Sequence, residues 1–145
     1  MTIIVDTTVD IGRPPEDVFA VLADIPNTPE WIAPVIAVRD FSGEPVGVGT
    51  TYTQVSKFLG KEFTIDIEVT TFEPDEKYGE RFAGVLPGEM AITLHAVDGG
   101  TRLHLHFEGE PGGFFGLAAP LLKSNMQKQI TSDMNNLKAL LEGSA

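Results

Sequence analysis

Residues 114–142 read FFGLAAPLLKSNMQKQITSDMNNLKALLE, and the spacing of their apolar side chains decides the fold. Phe115, Ala119, Leu122, Met126, Ile130, Met134, Leu137 and Leu141 recur at intervals of three and four, which draws one continuous stripe along a helix. Lys123, Lys128, Asp133 and Asn136 are read as filling much of the polar remainder. Pro120 removes one backbone hydrogen bond, so the helix predicted over 114–142 is distorted there or begins near it. A helix of that length reaches across a whole sheet, and a sheet that is apolar on one face needs such a cover.

Upstream, the period changes from helical to alternating. Residues 2–11 place Ile3, Val5, Thr7, Val9 and Ile11 on one face and Asp6, Thr8 and Asp10 on the other, the pattern of a half-buried strand. GRPPEDVFAVLAD (12–24) opens a helix, with prolines suited to its first turn and Glu16 and Asp17 at the positive end of its dipole. IPNTPEWIAP (25–34) is too rich in proline for a long helix and predicts a short one around Glu30 and Trp31. Strands follow over 35–41, 47–58, 61–72, 77–84, 88–97 and 101–110, the third being the clearest, with Phe63, Ile65, Ile67 and Val69 opposing Thr64, Asp66, Glu68 and Thr70. Asp98-Gly99-Gly100 joins the last two strands as a hairpin. No linker or repeat divides residues 1–145, so one α+β domain is expected, with a curved antiparallel sheet of about seven strands, two short helices after the first strand and a long C-terminal helix.

Composition narrows the function classes. The chain has no cysteine, which excludes disulfides, thiolate metal sites and a thiol nucleophile. Acidic residues outnumber basic ones 21 to 10, for a net charge of −11, and no Lys/Arg cluster breaks the excess. Nucleic acid is therefore not an expected partner, and neither is stable association with an anionic membrane. The N-terminus MTIIVDTTVD lacks a basic region and an apolar block, so it does not read as a signal peptide and a cytoplasmic protein is expected. A homodimer stays open.

Several short landmarks stand in a telling order: PPEDVFAVLAD (14–24), PEWIAPV (29–35), VGT (48–50), Glu73-Pro74, GGTRLH (99–104) and LKALLE (137–142). In this order and spacing the chain resembles the START-like or Bet v 1-like (SRPBCC) superfamily, and within it the polyketide cyclase/dehydrase branch. The resemblance covers essentially all of the chain. It implies the helix-grip fold, a sheet wrapped around the C-terminal helix with an apolar cavity between them. It also implies that the first strand neighbours the last. Members differ in their work, so the fold alone does not choose a function.

The alternation sorts the chemical candidates. In TRLHLHFEGE (101–110), Leu103, Leu105 and Phe107 share one face, so His104, His106 and Glu108 take the other, as does His95 on the partner strand. The strand neighbours implied by the resemblance put Asp6 and Asp10 beside the histidines on that outer face. Carboxylates there would raise the histidine pKa values. A His-x-His pair is a zinc-binding spacing, but an open sheet face lacks whatever would exclude water, and no metal is expected. Gly47-Val48-Gly49 resembles part of a phosphate loop, yet no helix follows it, and a bend into a curved sheet accounts for it. No nucleophile elbow or metalloprotease motif is present, and no cofactor is implied.

The expected cavity lining is Phe19, Trp31, Tyr52, Gln54, Phe63, Ile65, Ile67, Phe82, Met90, Ile92, Leu105, Phe107, Phe115, Leu122, Met126 and Ile130. Tyr52, Gln54 and Glu80 are the polar candidates for chemistry within it, although the inward face of the strand around Tyr52 is ambiguous. Asn125 and Gln129 flank the helix stripe and are expected to be exposed. The leading expectation is binding of a small hydrophobic molecule, a lipid, quinone or polyketide-like aromatic. The alternatives are an aromatase/cyclase or dehydratase working in the same cavity, which requires convergent polar groups deep inside, and a co-chaperone-like interaction module.

Overall fold

The computed structural model describes residues 2–58, 60–84, 87–110 and 119–143. Strand β1 (Ile3–Ile11) leads into helix α1 (Pro15–Ala23) and a 3-10 helix (Ile25–Glu30). Six strands follow: β2 (Val35–Arg39), β3 (Thr51–Phe58), β4 (Lys61–Glu73), β5 (Lys77–Gly84), β6 (Gly88–Val97) and β7 (Gly100–Gly109). Helix α2 (Ala119–Gly143) ends the described chain. Its first described turn holds Pro120, while residues 111–118, with Phe115 and the beginning of the predicted helix, lie outside the described residues.

The seven strands form one antiparallel sheet in the order β1-β7-β6-β5-β4-β3-β2. Strands β2 to β7 are a meander, and β1 returns to pair with β7 from Ile3↔Gly109 to Ile11↔Thr101. The β6–β7 hairpin turns where Gly99 takes φ +81°, a backbone conformation that costs glycine little. Register shifts after Val35 in β2 and after Val69 in β4 bend the sheet. The Gly47–Thr50 segment is such a bend too: Gly47 N–H donates to Thr50 Oγ1 (2.9 Å) and Gly49 N–H to the Val69 carbonyl (2.9 Å). Strand β3 follows it, not a helix, so the segment turns the chain into the sheet.

Helix α2 has 25 residues, or roughly 37 Å at 1.5 Å per residue, against about 29 Å for the width of seven strands. Its C-terminal half closes tightly on the sheet. Met134, Leu137 and Leu141 are buried with Ile3, Val5, Ile11, Leu103 and Leu105 in the core, each worth about 1.5–3 kcal/mol of burial. Polar contacts fix that end. Arg13 forks onto Asp17 and donates to the Leu141 carbonyl (2.9 Å), and Gly12 N–H donates to Glu142 (2.8 Å). Lys138 donates to the Asp10 carbonyl (2.6 Å), covering part of the free edge of β1. In the N-terminal half, Leu122, Met126 and Ile130 are only partly buried.

Candidate functional site

Where the sheet curves away beneath α1 and the 3-10 helix, it leaves an interior cavity of about 110 Å³. Its apolar walls are Leu22, Trp31, Ile32, Phe82, Met90 and Ile92, and its polar groups are Thr28, Tyr52, Gln54, Tyr78 and Glu80. Thr28 spends its hydroxyl on the Ile25 carbonyl (2.7 Å). The other four polar groups form one network. Tyr52 and Tyr78 both donate to the same carboxyl oxygen, Glu80 Oε2, the latter at 2.8 Å, and the Gln54 side chain is bonded to Tyr52. The tyrosines reach one oxygen from different strands because β3, β4, β5 and β6 are consecutive neighbours whose inner faces curve around the same point.

Glu80 is only 5% exposed, and among the described residues no basic side chain pairs with it. Burial raises its pKa above the ordinary carboxylate value, and the two tyrosine hydroxyls offset that only in part. The tyrosines are pushed up as well, first by burial and then by the neighbouring Glu80, so they remain hydrogen-bond donors at any physiological pH. The arrangement is a buried carboxyl of raised pKa braced by two phenols at one end of a largely apolar chamber. A carboxyl whose pKa is raised is a stronger proton acceptor than an ordinary one, and the phenols, both committed to it, steady its charged form.

A family model described as polyketide cyclase/dehydrase and lipid transport matches residues 2–142. The chain belongs to that family. Solved structures agree at the level of the fold. An aromatase/cyclase from a Streptomyces species superposes with a TM-score of 0.81 at 18% identity, covering 98% of this chain and 94% of the other. A Thermus thermophilus protein gives 0.84 at 20% identity over 98% and 99% of the two chains. A START superfamily protein from Mycobacterium smegmatis gives 0.77 at 14% over 98% and 99%. No curated protein has a significantly matching sequence.

Within this polyketide cyclase/dehydrase family member, the sequence-predicted residues divide into two groups. Trp31, Tyr52, Gln54, Phe82, Met90 and Ile92 line the cavity together with Glu80. Phe19, Ile67, Leu105 and Phe107 are buried in the surrounding core, and Phe63 and Ile65 are half-buried on β4. Leu122, Met126 and Ile130 pack against the core from α2, and Phe115 lies outside the described residues. The expected position of the cavity between sheet and α2 differs from the observed one. Among the described residues its walls come from α1, the 3-10 helix, the segment after it, and β3, β5 and β6. Met134, Leu137 and Leu141 fill the space under the C-terminal half of α2, while Leu122, Met126 and Ile130 on its N-terminal half are only partly buried.

Sequence reasoning missed Tyr78 and Asp133. In β5, Tyr78, Gly79 and Glu80 are all buried in succession, so alternation has no visible phase; a Cβ on Gly79 would lie 3.1 Å from the Thr71 side chain, which covers it from the outer side. Asp133 was read as part of the polar helix surface, but it is 7% exposed. Its position carried the signal, since it stands three residues after Ile130 and four before Leu137, on the apolar stripe itself. Gln129, expected outside, is half-buried and donates to Asp133 (2.9 Å), while Asn125 is exposed.

The histidines occupy the outer face, as the alternation requires. Asp6 Oδ1 bridges His106 Nδ1 (2.7 Å) and His104 Nε2 (3.1 Å), and His106 Nε2 meets Glu108 (3.1 Å). These contacts, that to Asp6 foremost, raise the His106 pKa, and the His106 bond lowers that of Asp6. Asp10 pairs with Arg102 at 2.8 Å rather than with a histidine. Among the described residues no group of three or more side chains is arranged to hold a metal ion, and no helix is long and apolar enough to cross a membrane.

Proposed function

We propose that this chain binds a mostly apolar, oxygen-bearing small molecule of polyketide-like type and that Glu80 acts on it as an acid–base group in cyclisation or dehydration. The carrying observation is the buried Glu80 carboxyl, bonded by Tyr52 and Tyr78 and facing the cavity. A carboxyl taken out of water without a basic partner costs several kcal/mol. A simple carrier of apolar ligands gains nothing from that cost, whereas a proton-transfer site requires it.

In this mechanism the Glu80 carboxylate takes a proton from an acidic carbon between two carbonyls. The enolate attacks a second carbonyl of the folded chain, and the proton returns from Glu80 to the alkoxide, closing the ring as an alcohol. A second passage of a proton through Glu80, from the adjacent carbon to the hydroxyl, releases water. Tyr52 and Tyr78 donate hydrogen bonds throughout and steady the carboxylate form. The chamber supplies the folding of the flexible substrate. Its 110 Å³ lies below the roughly 150 Å³ of an apolar cavity that admits benzene and the roughly 300 Å³ or more that larger ligands need. The chamber must therefore widen to take even the single ring being formed beside Glu80.

The interaction-module alternative has less support. The large exposed apolar residues, Ile4, Ile36, Val48 and Leu121, sit on four separate segments, two of them on opposite edges of the sheet. The test is incubation of wild type and Glu80→Gln with a synthetic linear poly-β-ketone, following ring formation by chromatography and binding by calorimetry. Turnover by wild type with binding but no turnover by Glu80→Gln is expected. Binding without turnover in both would leave a carrier, and no binding by either would remove the cavity reading altogether. Native mass spectrometry of the purified protein would identify a retained small molecule.

A further inference from the structure

The hydroxyls that line the chamber, those of Thr28, Tyr52 and Tyr78, have all spent their protons on protein oxygens. Thr28 donates to the Ile25 carbonyl at 2.7 Å. Tyr52 and Tyr78 donate to the same oxygen, Glu80 Oε2, Tyr78 at 2.8 Å. A phenol carries a single proton to donate, so neither ring can also donate to a ligand while it holds Glu80. Glu80 Oε1 is in a different position. Among the described residues no hydrogen bond reaches it, whereas every fully enclosed side-chain oxygen and nitrogen there has a partner. Oε1 is therefore open, and it opens on the chamber that Glu80 lines.

The two oxygens thus divide the work. Protonated, the carboxyl carries its proton on Oε1, because two donors already point at Oε2, and it offers one O–H to the chamber. Ionised, Oε1 is a bare oxygen that only accepts. We propose that Oε1 is the atom that meets the ligand, and that the chamber takes a neutral ketone-type carbonyl with Glu80 protonated, so that binding such a ligand takes up a proton. This deepens the cavity reading and rests on it, by naming the group that the ligand presents to Glu80. A ligand carboxylate is disfavoured in the same place, since no basic side chain lines the chamber to meet its charge.

Charged groups on the surrounding elements stand apart from Oε1. Next to Glu80 on β5, Arg81 turns to the outer face and pairs with Glu68 of β4 at 2.8 Å. Asp66 of β4 meets Thr53 of β3 at 2.9 Å on that same face, and Lys57 of β3 and Glu89 of β6 are exposed. On α1, Glu16 is exposed and Asp17 is held by Arg13 at 2.7 Å. Asp24 and Glu30, at the ends of the 3-10 helix, are exposed as well. Asp133 of α2 is bonded by Gln129 (2.9 Å) and does not line the chamber. Tyr52 and Tyr78 are the other ionisable groups of the lining, and both keep their protons.

Two probes of one ring and one oxygen read this directly. Cyclohexanone only accepts, whereas phenol accepts from the protonated carboxyl and donates to the ionised one. The affinity of each is measured by NMR titration of the protein between about pH 4 and 9. In wild type the ratio of cyclohexanone to phenol affinity should fall by roughly tenfold or more across this range. Taking the ratio cancels what acts on both probes alike, the titration of Asp133 and His106 included. In Glu80→Gln the amide oxygen still takes both phenols and the NH2 group stands where Oε1 stood, so the ratio should stay level at its acidic value. Tyr78→Phe takes one donor from Oε2 and leaves Oε1 untouched. The fall should persist there with its midpoint at higher pH, which keeps the test usable if Glu80→Gln folds poorly. A level ratio in wild type, the same fall in Glu80→Gln, or no binding of either probe would overturn the proposal. Turnover of a linear poly-β-ketone alongside a level ratio would leave the acid–base reading standing without this assignment of Oε1, so the two fail separately.

Discussion

Raising the pH from about 4 to about 6 should destabilise this protein, and Asp133→Asn should remove part of the loss. Asp133 has its pKa raised from 3.8 to about 6 by burial, so the folded state keeps the proton longer than the unfolded chain. Its contribution is fully present below the unfolded value of 3.8 and is lost as the pH climbs through the folded value near 6. At ~1.4 kcal/mol per pH unit the loss is about 3 kcal/mol in full, of which about 2 kcal/mol falls between about pH 4 and 6.5. Glu80 acts with the same sign, beginning at its unfolded value of 4.5. The lowered carboxyls of Asp6, Asp10 and Glu142 lose their contributions only as the pH falls below their unfolded values. The raised imidazole of His106 loses its own only above 6.5. Urea unfolding of wild type and Asp133→Asn at intervals from about pH 4 to 6.5 measures the effect. The two proteins should be alike at the acid end and then diverge by about 2 kcal/mol, a midpoint difference of roughly 0.7–2 M at ordinary urea sensitivities. Parallel curves, or a wild type that gains stability across the window, would refute the assignment of a neutral buried carboxyl to Asp133.

Tyr78→Phe removes a hydroxyl that donates to Glu80 at 2.8 Å and should cost about 1–3 kcal/mol while raising the Glu80 pKa further; thermal melts and the pH profile of turnover check the two parts. Phe19→Ala deletes a ring packed edge-on against Phe72 at 5.1 Å and Tyr78 at 6.3 Å, for an expected loss of about 3–5 kcal/mol by urea unfolding. Gly100→Ala would put a Cβ 2.0 Å from the Ile11 carbonyl oxygen, a backbone atom held in the β1–β7 pairing. It should lower the melting temperature more than any solvent-facing Gly→Ala change such as Gly47→Ala, where nothing lies within 4 Å. Replacing His104 and His106 together by Ala should leave small-molecule binding unchanged in calorimetry, because both rings lie on the face of the sheet opposite the cavity.

The fold was legible because it rests on periodicity. The stripe from Leu122 to Leu141 and the alternation in β1, β4 and β7 report which side of each element is dry, and that information survives in almost any sequence that folds this way. The same reasoning places His104 and His106 outside, but it leaves the inward face of the strand around Tyr52 ambiguous, so Tyr52, Gln54 and Glu80 are polar candidates without a clear phase. What it could not supply is the meeting of Tyr78 with Glu80. That contact depends on the sheet bending at the β4 irregularity after Val69 and on Thr71 covering Gly79, both tertiary events with no local pattern.

Asp133 shows a different limit, and a usable one. Polarity argued that it faced water, and position argued that it faced the core; position won, because its neighbours Ile130 and Leu137 fix the rotation of α2 whatever stands between them. A carboxyl forced inward in this way costs several kcal/mol once charged, and an apolar residue at the same place would remove that cost. The fold therefore gives up stability at two points, Glu80 on the sheet and Asp133 on the helix. Glu80 lines the chamber and Asp133 does not, so Glu80→Gln should change ligand binding while Asp133→Asn changes stability alone, and a double-mutant cycle of the two read by urea unfolding should be additive within about 0.5 kcal/mol. Larger coupling would join the two carboxyls and give Asp133 a part in the site.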